Sequence, residues 1–333
     1  MPSIPGFIAR YFAKEQPRPP PISIGTAVFL HHRAEKEALE VLTGNKVIYT
    51  LIYVIPFYLS PTTRPSPTLS RDAPSVIRAR IASVSLASIV CSIITFVILT
   101  SQGRATTTEA LHTLGYWPLG LVETAKCFLL TAILFAGPLY ERLIVDEGWR
   151  DWLSLQPLSD LGELTIWRNI IAGPFTEEAL FRSASVPLML AAQTSVTTTI
   201  FLSPLVFGLA HLHHFLEFRI THPQVPVSIG LLRSLMQLGY TSLFGAYATF
   251  LYLRSGSLIA VFVVHAFCNC MGLPRVWGRV YPAVVIDERG QSYRPSVMWT
   301  VVYYIVLVAG AVGWYRNLGL LTESSNALVS VDI

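Results

Sequence analysis

From residue 47 onward the chain returns again and again to apolar stretches, and their number sets the solvent it must fold in. Val47–Ser60, Ile81–Thr100, Trp117–Tyr140, Asn169–Ala192, Thr199–Phe215, Leu231–Leu253, Leu258–Gly272 and Val297–Trp314 follow one another between polar connections. About 20 apolar residues cross a bilayer as a helix. Several of these stretches reach that length, while Val47–Ser60 and Leu258–Gly272 fall short. Hydrophobic residues make up 52% of the chain, charged residues 13%, and mean hydropathy is +0.52. A soluble domain carries about 25% charged residues, so this surplus of apolar side chains calls for lipid. Disorder and an ordinary cytosolic enzyme are excluded on the same grounds. The prediction is an all-α, polytopic transmembrane bundle of seven to eight helices with an intramembrane cavity. Residues 1–45 read as a polar tail around Pro17, Pro19, Pro20 and Pro21, residues 46–316 as the membrane domain, and residues 317–333 as a C-terminal tail.

Smaller signals fill in the setting. A net charge of +4 is too small to suggest nucleic acid. Arg64, Arg71, Arg78 and Arg80 fall in one connection, and Arg275, Arg279, Arg289 and Arg294 in another. Strict alternation puts both on one side, the cytosol by the positive-inside rule. The acid-rich connection Glu141–Arg168 shares that side, and the basic residues of the N-terminal tail point the other way. The four cysteines, Cys91, Cys127, Cys268 and Cys270, form no disulfide framework or paired Cys-x-x-Cys spacing, so reduced and mostly buried thiols are expected. Glu123 and Lys126, three apart inside an apolar stretch, are placed to pair on one helix face.

The informative residues are those a membrane should not contain. A charge at the bilayer centre costs about 2.5–3.5 kcal/mol on insertion scales. Yet Glu177, Glu178 and Arg182 sit within one apolar stretch. On a helix Glu178 and Arg182 are i,i+4 neighbours and pair, whereas Glu177 is turned about 100° away and is free to face a cavity. A second block ends in His211, His213 and His214, with Gly208 one turn before His211 to admit a neighbouring backbone. His213 and His214 read as interfacial residues. A third block sets His265 and Asn269 at i,i+4, both facing one cavity with no obvious local partner. Taken singly, each block is explained by a structural ion pair or a satisfied core histidine. Taken together, they place a free carboxylate, two deep imidazoles and an amide on three helices. Glu177 with His211 would hold and deprotonate a water. His265 with Asn269 would donate to a carbonyl oxygen as it becomes an oxyanion. That is equipment for amide hydrolysis inside a membrane.

Other schemes use the same residues. Glu177, His211 and His265 would suit zinc, although the His-Glu-x-x-His signature is absent. Cys268 or Cys270 beside His265 would offer a nucleophile, without a third orienting group. Intramembrane Glu and His also line ion pathways, but the inverted repeats of a transporter are not evident. A silent scaffold would not need the full set.

The three blocks Glu177-Glu178-x-x-x-Arg182, Phe207-x-x-x-His211 and His265-x-x-x-Asn269 resemble, in order and spacing, the motifs of the type II CAAX prenyl endopeptidases. Phe244-Gly245-Ala246-Tyr247 and the run from His265 to Pro274 resemble the eukaryotic branch of that family. The likeness covers Ile166–Pro274, with a weaker stretch from Ser70-Arg71-Asp72-Ala73-Pro74 through Gly137-Pro138. It implies a multi-pass protein of the endoplasmic reticulum membrane, with its site open to the cytosol. The implied activity removes the last three residues of farnesylated or geranylgeranylated CAAX proteins such as Ras-type GTPases. The implied mechanism uses no metal or cofactor. Carried over, Glu177 and His211 activate water, His265 and Asn269 polarise the scissile carbonyl, and Glu178 and Arg182 support them. Arg275 and Arg279, just beyond the His265 helix, are candidates for the substrate carboxylate.

Overall fold

The computed structural model describes residues 47–154, 156–282 and 296–329. The tail expected over residues 1–45 lies outside the described residues, as do Arg289 and Arg294. Among the described residues every regular element is helical. The first are α1 (Val47–Leu59), α2 (Pro74–Ser101), α3 (Thr107–Thr113), α4 (Leu121–Leu134) and α5 (Ala136–Val145). A helical run over residues 164–184 is α6, followed by α7 (Val186–Ala191), α8 (Val196–Ala210) and α9 (His213–Thr221). Last come α10 (Val227–Ser255), α11 (Leu258–Met271) and α12 (Met298–Thr322).

Local chemistry explains the boundaries. Pro74 opens α2, where its missing N–H costs nothing. Thr106 and Glu109 close a capping box on α3. Ser195 and Ser257 cap α8 and α11 by accepting from Thr198 N–H and Ala260 N–H. Gly256 ends α10 at φ +60°, a conformation that favours glycine.

The helices bury one face and leave the other apolar and uncovered. On α2, Val84, Ser88, Cys91, Thr95 and Leu99 are buried, while Leu86, Ile89, Ile93 and Val97 on the opposite face are 52–63% exposed. Exposed apolar stripes of this length are the mark of a lipid-facing surface. Three helical runs, α2, Val196–Thr221 and α12, are long and apolar enough to cross a membrane. α4 and α5 make a fourth as a pair bent by 80°. The other apolar stretches are used differently. α10 has 29 residues but intersperses Arg233, Ser234, Gln237, Tyr240, Thr241 and Ser242. α11 has only 14, and Asn169–Ala192 is divided between α6 and α7. α12 runs on to Thr322, past the boundary expected at residue 316, and Leu328 and Val329 beyond it pack into the core. The architecture is that of a multi-pass membrane protein.

Two features place the site. One is a close crossing of α8 and α10. A Cβ on Gly208 would stand 2.5 Å from Ser242 Oγ and 2.7 Å from Leu238 Cδ1. On the facing helix a Cβ on Gly245 would stand 2.8 Å from Pro204 Cβ. The close approach expected at Gly208 is therefore present, and it sets the end of α8 from which His211 projects. The other feature is α6, which packs against α2 and α11. Its α-helical middle, Gly173–Glu178, lies between two π-helical turns, Arg168–Ala172 and Ala179–Ala184. Hydroxyls from α2 take up carbonyls of α6: Ser88 donates to Thr176 O at 3.0 Å and Thr95 to Ala184 O at 2.8 Å. Backbone acceptors far from water need such partners.

Candidate active site

Glu178 and Arg182 form the buried pair that the spacing predicts, 3.0 Å apart and 0% and 1% exposed. The pair is not self-contained. The same Glu178 oxygen, Oε1, lies 2.6 Å from His265 Nδ1 on α11. A carboxylate paired with a guanidinium only accepts, so His265 donates from Nδ1 and turns Nε2 toward Glu177, whose Oε2 is 3.9 Å away. His265 thus has the partner that its own helix does not supply. Arg182 Nη2 makes no hydrogen bond. Its guanidinium instead lies over the rings of Phe207 and Phe244, at 4.6 and 5.8 Å.

Glu177, a position earlier on α6, turns out into a cavity of about 380 Å³. The same cavity wall carries His211 and Asn269, so α6, the end of α8 and α11 all contribute polar groups to it. His265 is buried, 5% exposed, and meets the cavity through Glu177. His211 Nδ1 is 2.8 Å from Phe207 O; a carbonyl only accepts, so Nδ1 carries the proton and Nε2 is left as a base. Asn269 Nδ2 donates to Asn169 O at 2.9 Å, which leaves its second N–H unspent.

His213 and His214, expected to be merely interfacial, line this cavity as well. His213 is locked by Ala210 O at 2.6 Å, and His214 bonds Glu217 at 3.2 Å. Glu217 is in turn held by Arg80 at 2.8 Å. Tyr53 of α1, with its hydroxyl 3.5 Å from Thr176 Oγ1, closes another part of the wall. Sequence named His213 and His214 only as interfacial residues and Arg80 only as a loop charge, and it did not single out Glu217 or Tyr53. The signals were three histidines within residues 211–214, Glu217 three positions after His214, and a tyrosine in a helix too short to span.

Other expectations fare differently. Arg275 is bound to Glu141 through Nη2 at 2.8 Å and Nε at 3.1 Å, and that carboxylate raises its pKa above the ordinary guanidinium value. It is therefore taken, and it does not line the cavity. Glu123 and Lys126 do not rely on each other. Glu123 accepts from Ser324 and Asn326, and Lys126 donates to Glu323 O, which fastens α4 to the residues after α12. Cys91 and Cys127 are buried, Cys268 is half-buried and Cys270 is exposed. Among the described residues, no three His, Cys, Asp or Glu side chains are grouped to hold a metal ion.

A bundle of membrane-apolar helices that turns a carboxylate, an imidazole and an amide into one cavity has the build of an intramembrane hydrolase. The family model described as Type II CAAX prenyl endopeptidase Rce1-like matches residues 161–271, which hold all seven residues of the three motifs. The Probable CAAX prenyl protease 2 of Schizosaccharomyces pombe is 39% identical over 279 residues, covering 84% of this chain and 92% of its own. The CAAX prenyl protease 2 of Arabidopsis thaliana is 33% identical, covering 72% and 82%. That of Homo sapiens is 36% identical, covering 62% and 65%. No solved structure matches. The chain belongs to the type II CAAX prenyl endopeptidase family.

Proposed function

We propose that the chain is an intramembrane endopeptidase that removes the last three residues of prenylated CAAX proteins, using a water activated by Glu177 and His211. The observation that carries this reading is the shared cavity. A carboxylate and an imidazole with a free Nε2 lie on one wall with an amide N–H to spare, and Glu177 is backed by His265. Water loses a proton to Glu177 or His211 as its oxygen attacks the scissile carbonyl. Asn269, with His265 Nε2, donates to the oxyanion. The C–N bond then breaks, and the proton returns to the departing amine of the tripeptide. His265 can donate from Nε2 only with a proton on each ring nitrogen, the other being the one held against Glu178 Oε1.

Lipid-facing helices around the cavity suit such a substrate, because a prenyl chain partitions into the bilayer at about 0.8 kcal/mol per CH₂. We place the site in the endoplasmic reticulum membrane, open to the cytosol, on the strength of the basic connections and of the family.

Purified full-length protein in liposomes is given a farnesylated CAAX peptide, and tripeptide release is followed. Glu177→Ala and His211→Ala are each expected to lower kcat/KM by about 10³-fold or more. Cys268→Ala with Cys270→Ala should leave most of the activity, as should a strong zinc chelator. Loss to the chelator with recovery on adding zinc would move Glu177, His211 and His265 into a metal site. A folded but inactive cysteine double variant would overturn the glutamate mechanism.

A further inference from the structure

The cavity has a second charged region, which the proposed chemistry does not use. Arg71, from the connection before α2, and Arg80, Arg168 and His214 all line it. Arg80 is engaged: Nε and Nη2 hold Thr63 O at 3.0 and 2.8 Å, and Nη2 also holds Glu217 at 2.8 Å. Arg168 is engaged too, with Asp72 at 2.7 Å and Asn169 Oδ1 at 2.9 Å. Arg71 is not. Its nearest carboxylate oxygens, on Glu217 and Asp72, are 3.7 and 3.9 Å away, too far for good hydrogen bonds. Three guanidiniums face two carboxylates here, and the one left over has its planar fork of donors available.

We propose that Arg71 is the receptor for the free C-terminal carboxylate of the substrate, and so the residue that sets where the chain is cut. This rests on the endopeptidase reading above. An enzyme that releases a tripeptide can fix its cut by holding the chain terminus three residues beyond the scissile carbonyl. Extended, three residues span about 10 Å. Arg168 stands nine positions before Glu177 on α6, at most about 13 Å at the α-helical rise of 1.5 Å per residue and less because Arg168–Ala172 is π-helical. Its side chain is tied to Asp72 and to Arg71 O, so the Arg71 region sits about one tripeptide away from the water held by Glu177. A bidentate guanidinium–carboxylate contact at that end is strong and directional. Arg275, the earlier candidate, is spent on Glu141.

The test is a cycle of two enzymes and two substrates, with full-length protein in liposomes. One farnesylated peptide ends in a carboxylate, and the other is identical but ends in a primary amide. The scissile bond is the same in both. Wild-type enzyme should cleave the acid at least 30-fold faster in kcat/KM, chiefly through KM. Arg71→Gln should lose that factor on the acid and change little on the amide, so that the ratio falls toward one. Arg71→Lys should recover part of it. Melting of both variants near the wild-type temperature shows that folding is not the cause. A wild-type ratio near one, or a ratio that survives in Arg71→Gln, overturns the carboxylate receptor while leaving the endopeptidase standing. If wild-type enzyme cleaves neither peptide, both readings fall.

Discussion

At the scale of single residues, the site turns on one oxygen atom. Glu178 Oε1 receives both Arg182 and His265, and Oε2 makes no hydrogen bond. Glu178→Gln keeps the shape but leaves Arg182 as a buried cation without a counter-charge, which costs about 3–5 kcal/mol. We expect a lower melting temperature in detergent and loss of tripeptide release, although Glu177 is untouched. Adding Arg182→Met should return much of the stability and none of the cleavage, because the neutral amide still leaves His265 without a carboxylate at Nδ1. Recovery of both would show that Glu178 serves only to neutralise Arg182. Much at this scale was legible. Three charges in an apolar stretch announce themselves through their insertion cost, and i,i+4 geometry pairs two of them and frees the third. The link from Glu178 to His265 was not legible, because it joins residues 87 positions apart through tertiary packing. His213 and His214 were missed for a related reason. A helix-end histidine reads as interfacial until the fold supplies Glu217, Arg80 and α1 around it.

At the scale of elements, the crossing of α8 and α10 is set by two glycines that face each other's helices. Gly208→Leu or Gly245→Val drives a side chain into Ser242 and Leu238, or into Pro204 and Arg182. Such overpacking costs about 1–3 kcal/mol, or more where backbone must move. Each variant should melt lower and lose activity, since His211 and the Arg182 cradle lie at that crossing; Gly→Ala should be milder. Equal melting for Gly208→Leu and wild type would refute the crossing. Sequence found the apolar stretches and the value of Gly208, but it could not find the π-helical turns of α6. Periodicity sees apolar spacing, whereas an i→i+5 turn depends on partners such as Ser88 and Thr95 in another helix.

At the scale of the whole molecule, the question is which side the cavity faces. Cys270 is exposed at the end of α11, next to Asn269, and Cys91 and Cys127 are buried. In sealed microsomes whose outer face is cytosolic, a membrane-impermeant maleimide should label Cys270 without detergent. Cys91 and Cys127 should stay unlabelled until the protein is denatured. Labelling of Cys270 only after the vesicles are opened would invert the orientation. Loop charge pointed to the cytosol, but the acid-rich connection and the N-terminal tail diluted that signal. Membrane placement itself was carried by composition, because the exposed stripe on α2 is simply the apolar surplus made visible.

The two π-helical turns around Gly173–Glu178 also bear on how this site can drift over generations. Each turn accommodates an extra residue, so part of the active site is written as spacing rather than as identity. Loss of a single codon within residues 170–172 would leave every functional side chain present. It would also turn the two halves of α6 by about 100° relative to each other, taking Glu177 away from His211 or the helix away from α2. Point substitutions in those turns would be forgiven far more readily than deletions. Lineages that keep the activity should therefore vary in letters there and hardly at all in length.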